Sequence, residues 1–428
     1  MTAPAPALST GARRHRARTA VSALFFVNAV LYANLVPRLP AVKAQLGLDN
    51  AAFGAAIAAM PVGALAAGLL APAFIARLGS ARVAAFGLVL LAAAVLGVPL
   101  SGTWLGFAVA MLAVGALDAI VDVAQNAHGF RVQRLYGRSI VNAFHGLWSV
   151  GAVTGGLLGS AAAGLGISLT VHLGASAAFF GTVALVAHRF LLTGPEDAER
   201  TVATAEDAGP STAASTLGRI GARALLPLAA LGTLAAAAAF VEDAGFSWGA
   251  LYLRGEVGVG AAAGGLAFVA LQLAMTVGRL TGDRVVDRVG QRRVALWGGA
   301  AIAFGMGFAL AVPALATTLA GFALAGLGVA TLVPAVMHAA DELPGLPAGV
   351  GLTIVSWLLR VGFLVSPAAV GLVADAAGLR VALLGTVGSG VVVLVLSRVL
   401  GARPATGPDA DREGVSGSEG DVPVAKGS

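Results

Sequence analysis

The stretch AMLAVGALDAIVDVAQNAHGFRVQRLYGRSIVNAFHGLWSVGAVTGGLLG, Ala110 to Gly159, decides the fold. It consists of two apolar segments joined by a short basic turn, Arg131 to Arg138. Asp118 and Asp122 lie inside the first, followed by Gln125, Asn126 and His128, and His145 opens the second. A charge at membrane depth is costly and persists mainly where it lines a polar cavity or a proton path. The stretch therefore reads as two helices of a polytopic membrane protein that moves something.

Working outward, the composition agrees. Of 428 residues, 58% are hydrophobic and only 11% charged, with a mean hydropathy of +0.88. A water-soluble chain would carry roughly a quarter of its residues charged. Apolar segments fall at 19–37, 51–73, 82–100, 103–130, 139–165, 169–192, 222–251, 259–280, 293–312, 315–338, 347–374 and 379–400. Each is close to the roughly 20 residues that cross a bilayer core as helix. The expected fold is thus an all-α membrane protein of twelve transmembrane helices in two pseudo-symmetric six-helix bundles. The expected division is a segment 1–18, a first bundle 19–192, a polar linker 193–221, a second bundle 222–400 and a tail 401–428 with the composition of disorder.

Lysine and arginine placement gives orientation. With both termini and the even-to-odd loops placed in the cytoplasm, only Arg38, Lys43, Arg254 and Arg380 of the 27 basic residues fall outside, and Arg360 lies within a span. That bias predicts cytoplasmic termini. Arg13, Arg14, Arg16 and Arg18 flank the first span as an uncleaved anchor. The net charge of +6 is dispersed among helix ends and does not form a nucleic-acid surface. With no cysteine, no Walker loop and no metal-ligand cluster, neither an enzyme nor a nucleotide-driven pump is indicated. No cofactor is expected beyond a proton gradient, and the expected partners are a small-molecule substrate, protons and lipid, acting on a monomer.

A repeat divides the chain at the linker. Ala76-Arg77-Leu78-Gly79-Ser80-Ala81-Arg82-Val83 and Asp287-Arg288-Val289-Gly290-Gln291-Arg292-Arg293-Val294 superimpose on a shift of 211 residues, which also matches Gly54 to Gly265. Two such halves are the architecture of alternating-access carriers. Gly278 to Arg293, GRLTGDRVVDRVGQRR, resembles the signature loop of the major facilitator superfamily. The resemblance implies a conformational latch of Asp283 with Arg288 and Arg293; the first-half copy has no acidic residue near Pro72 to Ala76. Asp122 to His128, Phe144 to Gly151, and Phe246 to Arg254 with Glu242 before them are similar to the fucose-permease-like branch of proton-coupled sugar symporters. The fucose permease itself uses an acidic residue in the first helix, where this chain has only Asn28 and Asn34.

Asp118 and Asp122, four apart, share one helix face with Asn126. A coupling site needs a carboxylate that gains and loses a proton as its exposure alternates, so both are proton-coupling candidates, with Asp118 nearer the midplane. Glu242 is the third, and contacts to substrate are expected from it as well. Asp243 points about 100° away from Glu242 on a regular helix, so the two are not expected to face one cavity. Gly245 permits local unwinding there. Further substrate-binding candidates are Asn28, Asn34, Asn126, His145, Trp248, Gln272 and Arg360. Arg360 needs a carboxylate or an anionic ligand to offset its burial, and Asp118, Asp122 and Glu242 all qualify. Gly151, Gly155 and Gly159 suit close helix packing. The absence of a proline beside them disfavours a drug–proton antiporter. The reading that results is a proton-coupled symporter of a small polar solute, such as a sugar or sugar derivative, in a bacterial-type inner membrane. The alternative is a proton-coupled efflux antiporter for amphipathic compounds or metabolites.

Overall fold

The computed structural model describes residues 10–136, 140–196, 222–343, 346 and 350–401. The expected tail at 401–428, apart from Gly401, and most of the expected linker at 193–221 lie outside the described residues. Among the described residues, twelve helices are long and apolar enough to cross a membrane. We label them α1 (Gly11–Gln45), α2 (Asn50–Gly68), α3 (Ser80–Leu100), α4 (Trp104–Tyr136), α5 (Ala143–Gly164), α6 (Leu169–His188), α7 (Leu225–Gly255), α8 (Ala261–Gly282), α9 (Gln291–Ala311), α10 (Leu315–Asp341), α11 (Val350–Ala377) and α12 (Leu379–Leu400). The described residues are all-helical, and an even number of crossings puts the first and last of them, Thr10 and Gly401, on one face, called the terminal face below.

The basic flank of the first span continues the helix, which starts at Thr10. Likewise α4 runs on to Tyr136, past the expected end at 130. Arg13, Arg14 and Arg16 on α1 and Arg134 on α4 are exposed and carry charge out to water on long stems, so the backbone has no need to unwind. Gly151, Gly155 and Gly159 seat α5 on α1: a Cβ on them would strike the Phe26 carbonyl, the Ala33 side chain and the Asn34 carbonyl respectively.

The sequence repeat is also a backbone repeat. Gly79 stands before α3 with φ 84° and ψ 147°, and Gly290 before α9 with φ 86° and ψ 150°. Only glycine adopts such a conformation without strain. The first helix of each half is interrupted at the same place in the repeat. Regular helix in α1 stops at Ala33 ahead of a 3-10 turn, Val36–Arg38, while α7 widens into a π-helical turn, Ala244–Trp248. Shifted by 211 residues, Ala33 falls on Ala244.

The two halves meet tightly on the face opposite the termini. Gly54 of α2 approaches the Pro367 carbonyl of α11, and Gly371 of α11 approaches the Asn50 carbonyl. Asp375 caps α2 by accepting from Asn50 N–H (2.9 Å), Asn50 Nδ2 (2.8 Å) and Ala51 N–H (2.6 Å). Gly265 of α8, the repeat-mate of Gly54, lies against Ser160 of α5 and Pro37. The seal is built twice.

On the terminal face, the beginning of the linker is docked. Arg131, 1% exposed, pairs with Glu196 at 3.1 Å. The same Glu196 oxygen accepts from Ser80 N–H (2.8 Å) and Ser80 Oγ (3.0 Å). His128 accepts the Leu192 N–H on Nε2 (3.0 Å), so its Nδ1 carries the proton toward Ser80 Oγ (2.8 Å). Glu196 thus supplies a carboxylate at the first-half loop, which has none of its own.

Candidate functional site

A cavity of about 310 Å³ lies between the halves, bordered by α1, α2, α4, α5, α7 and α11. Its polar groups are Asn28, Tyr32, Asp118, Trp148, Glu242, Asp243, Ser247 and Arg360. Toward the terminal face follows a wider vestibule of about 720 Å³, which includes His145, Thr276, Arg279, Gln291 and His338, with Trp148 common to both. Toward the opposite face, the α2–α11 and α5–α8 seals close the path. The structure is open on the side of the termini.

Neutral donors hold Asp118. Asn28 Nδ2 donates to its Oδ1 at 2.9 Å, and Trp148 Nε1 donates to Asn28 Oδ1 at 2.8 Å. Three helices, α5, α1 and α4, are tied in one line. One turn on, Asn126 Nδ2 donates to Asp122 Oδ1 at 3.0 Å, and His145 Nε2 lies 3.2 Å from Asn126 Oδ1. Asp122 and Arg360 attract through space but do not touch; Arg360 has no carboxylate within 4 Å among the described residues.

Across the cavity, Glu242 pairs with Arg279 of α8 at 3.3 Å, where the cavity joins the vestibule. Asp243, 6% exposed, accepts from Ser247 Oγ at 2.5 Å and from Ser366 Oγ of α11 at 2.7 Å. Both carboxylates border the cavity, contrary to the expectation for adjacent residues. They diverge, Glu242 toward α8 and Asp243 toward α11, but the cavity is wide enough to reach both. The π-helical turn brings Ser247 back under Asp243 and turns Phe246 onto Tyr32, with ring centroids 6.2 Å apart.

The other candidates separate. Trp248 is fully buried, edge-on to Phe53 at 5.6 Å in the seal region. Asn34 binds Ser176 (2.9 Å) and His172 (3.2 Å) within the first half. Gln272 is fully buried away from the cavity lining, with no hydrogen bond on its amide among the described residues. Arg288 and Arg293 are exposed, and the side chain of Asp283 lies outside the described residues. Not singled out beforehand were Tyr32, Ser366, Arg279 and Phe363. A hydroxyl or an aromatic in an apolar helix gives no signal until its neighbours are known, whereas Arg279 stood in plain view within the signature-like loop.

The residues 228–424 match the family model Major Facilitator Superfamily. Over 379 residues the chain is 30% identical to the membrane protein MosC of Rhizobium meliloti, covering 89% of each. The chain belongs to the major facilitator superfamily. It is also 28% identical over 385 residues to an uncharacterized MFS-type transporter of Yersinia pestis, covering 89% of this chain and 94% of that one. Among solved structures it resembles the nucleoside transporter NupG, with a TM-score of 0.73 at 15% identity, covering 90% of this chain and 100% of that one. A bacterial homolog of the human lysosomal transporter Spinster gives a TM-score of 0.70 at 16% identity, covering 91% and 98%. As a member of this superfamily the chain is a multi-pass membrane protein that carries a small molecule by secondary transport, and is not an enzyme.

Proposed function

We propose that the protein is a proton-coupled symporter of a small polar solute, a sugar or sugar derivative, working by alternating access in the cytoplasmic membrane with both termini inside. The observation that carries this reading is Asp118: a carboxylate on the cavity wall, held among the described residues through neutral Asn28, itself bonded by Trp148. Such a group can take up a proton without stranding a cation. Tyr32, Trp148, Phe246 and Phe363 offer apolar faces to a ring, while Asn28 and Ser247 offer hydrogen bonds to hydroxyls. The fucose-permease-like pattern in α4 and α5 supports the same substrate class. In this reading the opening is to the cytoplasm, and Asp283, Arg288 and Arg293 form a latch in another conformation.

The test uses purified protein in vesicles and a panel of sugars and amphipathic compounds. A sugar-class solute should accumulate when the pH gradient is directed inward, and Asp118→Asn should abolish accumulation while leaving solute exchange. The symport reading fails if the wild type instead extrudes amphipathic compounds against protons. It fails equally if accumulation by Asp118→Asn matches the wild type.

A further inference from the structure

On its lipid-facing flank the first half carries a groove that the transport reading does not use. It has a volume of about 660 Å³ and runs between the start of α1 and the end of α6. His15 and Arg16 stand at one end; Ala20, Phe179, Val183 and Val186 form its apolar walls. A second apolar hollow of about 370 Å³ shares Thr19, Ala23, Phe179 and Val183 with it and continues to Phe26. From His15 to Phe26 a helix rises about 16 Å, roughly half the hydrocarbon core. The polar end lies at the terminal face.

The charge at that end is one-sided. Arg13, Arg14, Arg16 and Arg18 fall within six residues, and Arg189 follows directly on α6. Asp49 is the first acidic residue of the chain. Arg14 and Arg18 lie over the Tyr136 ring, 5.1 and 5.6 Å from its centre. Arg13 and Arg16 are exposed, with no carboxylate within 4 Å among the described residues. Nearby Glu196 is engaged with Arg131 and Ser80. Basic clusters above an apolar channel between spans match the shape of an anionic lipid: phosphate at the rim, chain along the wall.

We propose that the α1–α6 seam is a binding site for one acidic phospholipid, its phosphate held by Arg13 and Arg16 and one acyl chain lying in the groove toward Phe26. Arg16 lines the groove and Arg13 stands one turn before it, both without a carboxylate within 4 Å among the described residues; a zwitterionic lipid brings its own cation to that uncompensated charge, so the acidic headgroup is selected. This inference is independent of the transported solute.

The test is native mass spectrometry of the purified full-length chain, titrated with phosphatidylglycerol, phosphatidylcholine or glycerol 3-phosphate. One phosphatidylglycerol should be retained in preference to phosphatidylcholine, and glycerol 3-phosphate, which has no chain for the groove, should not compete. Arg13→Gln with Arg16→Gln should weaken retention roughly 30-fold, at about 1 kcal/mol per arginine. Arg16→Lys should keep most of it. Val183→Trp, which fills the groove without touching the charge, should also expel the lipid. Equal retention of both lipids by the wild type overturns the proposal whatever the variants do. So does an equal loss from Arg77→Gln with Arg82→Gln, arginines on the same face away from the groove, since that outcome marks general surface charge.

Discussion

The two carboxylate pairs, on α4 with Asp118 at the cavity wall and on α7 with both members there, are held in different ways. On α4, Asp118 and Asp122 are spaced one helical turn apart, and each rests on an amide, Asn28 and Asn126. On α7, Glu242 and Asp243 are adjacent, and they part company: Glu242 goes to the guanidinium of Arg279, Asp243 to the hydroxyls of Ser247 and Ser366. Asp243 is buried, Asp118 and Glu242 are half-buried and Asp122 is exposed; among the described residues only Glu242 of the four has a cation within 4 Å. Protonating Asp118 or Asp243 changes a hydrogen bond, whereas protonating Glu242 leaves Arg279 without its counter-charge. The comparison divides the labour. Under the proposed symport, Asp118 and Asp243 are the groups assigned to reversible proton uptake, and the Glu242–Arg279 pair to a gate at the mouth of the vestibule.

The largest expected effect falls on coupling. Asp118→Asn and Asp243→Asn should each reduce gradient-driven uptake by a factor of about 100 or more, with about 1 kcal/mol or less lost in stability, since an amide can replace the oxygen toward its donors. Uptake and thermal unfolding of the same preparations provide the two readings. If Asp243→Asn transports like the wild type and Asp122→Asn does not, the proton belongs to the α4 pair as a unit, and the division drawn above is wrong.

A smaller effect tests the gate. Glu242→Gln and Arg279→Gln should each shift the protein between its two open states, and the double variant should recover part of the loss. Arg279 is 38% exposed, so water screens the pair and the coupling energy in the cycle should be about 1 kcal/mol. Spin-label distances across both faces report the shift. An additive cycle would mean that the pair is incidental.

What was legible in advance follows from period and cost. The spans are written in apolar length, and the repeat in two arginines and a turn glycine whose dihedrals recur within a few degrees. Asp118 was legible because an ionisable group in an apolar run is rare. Asp243 was discounted by an argument about regular helices, which fails to consider a cavity wide enough to meet diverging side chains. Trp248 is a substrate-binding candidate by sequence, but the π-helical turn presents Phe246 to Tyr32 and Trp248 lies in the seal. Glu196 was passed over because its surroundings read as linker; its role depends on Ser80 and Arg131, 116 and 65 residues earlier. Contacts that distant leave no local pattern.

The smallest effect separates the two members of the α4 pair. Asn28→Ala removes the donor to Asp118 and also leaves Trp148 Nε1 without its acceptor, both beside a half-closed cavity. That should cost about 1–2 kcal/mol in stability and lower the apparent affinity for solute. Asn126→Ala removes the corresponding donor to Asp122, but Asn126 sits where the α4 face opens toward the vestibule, and water can replace an amide there. The cost should be about 0.5 kcal/mol or less. Thermal unfolding of both variants in one detergent gives the difference directly. Because the two substitutions delete the same side chain, composition cannot account for a gap between them; it must come from surroundings. Equal losses would mean that Asp118 and Asp122 sit in equivalent environments, and depth along α4 would no longer be a reason to assign the proton to Asp118.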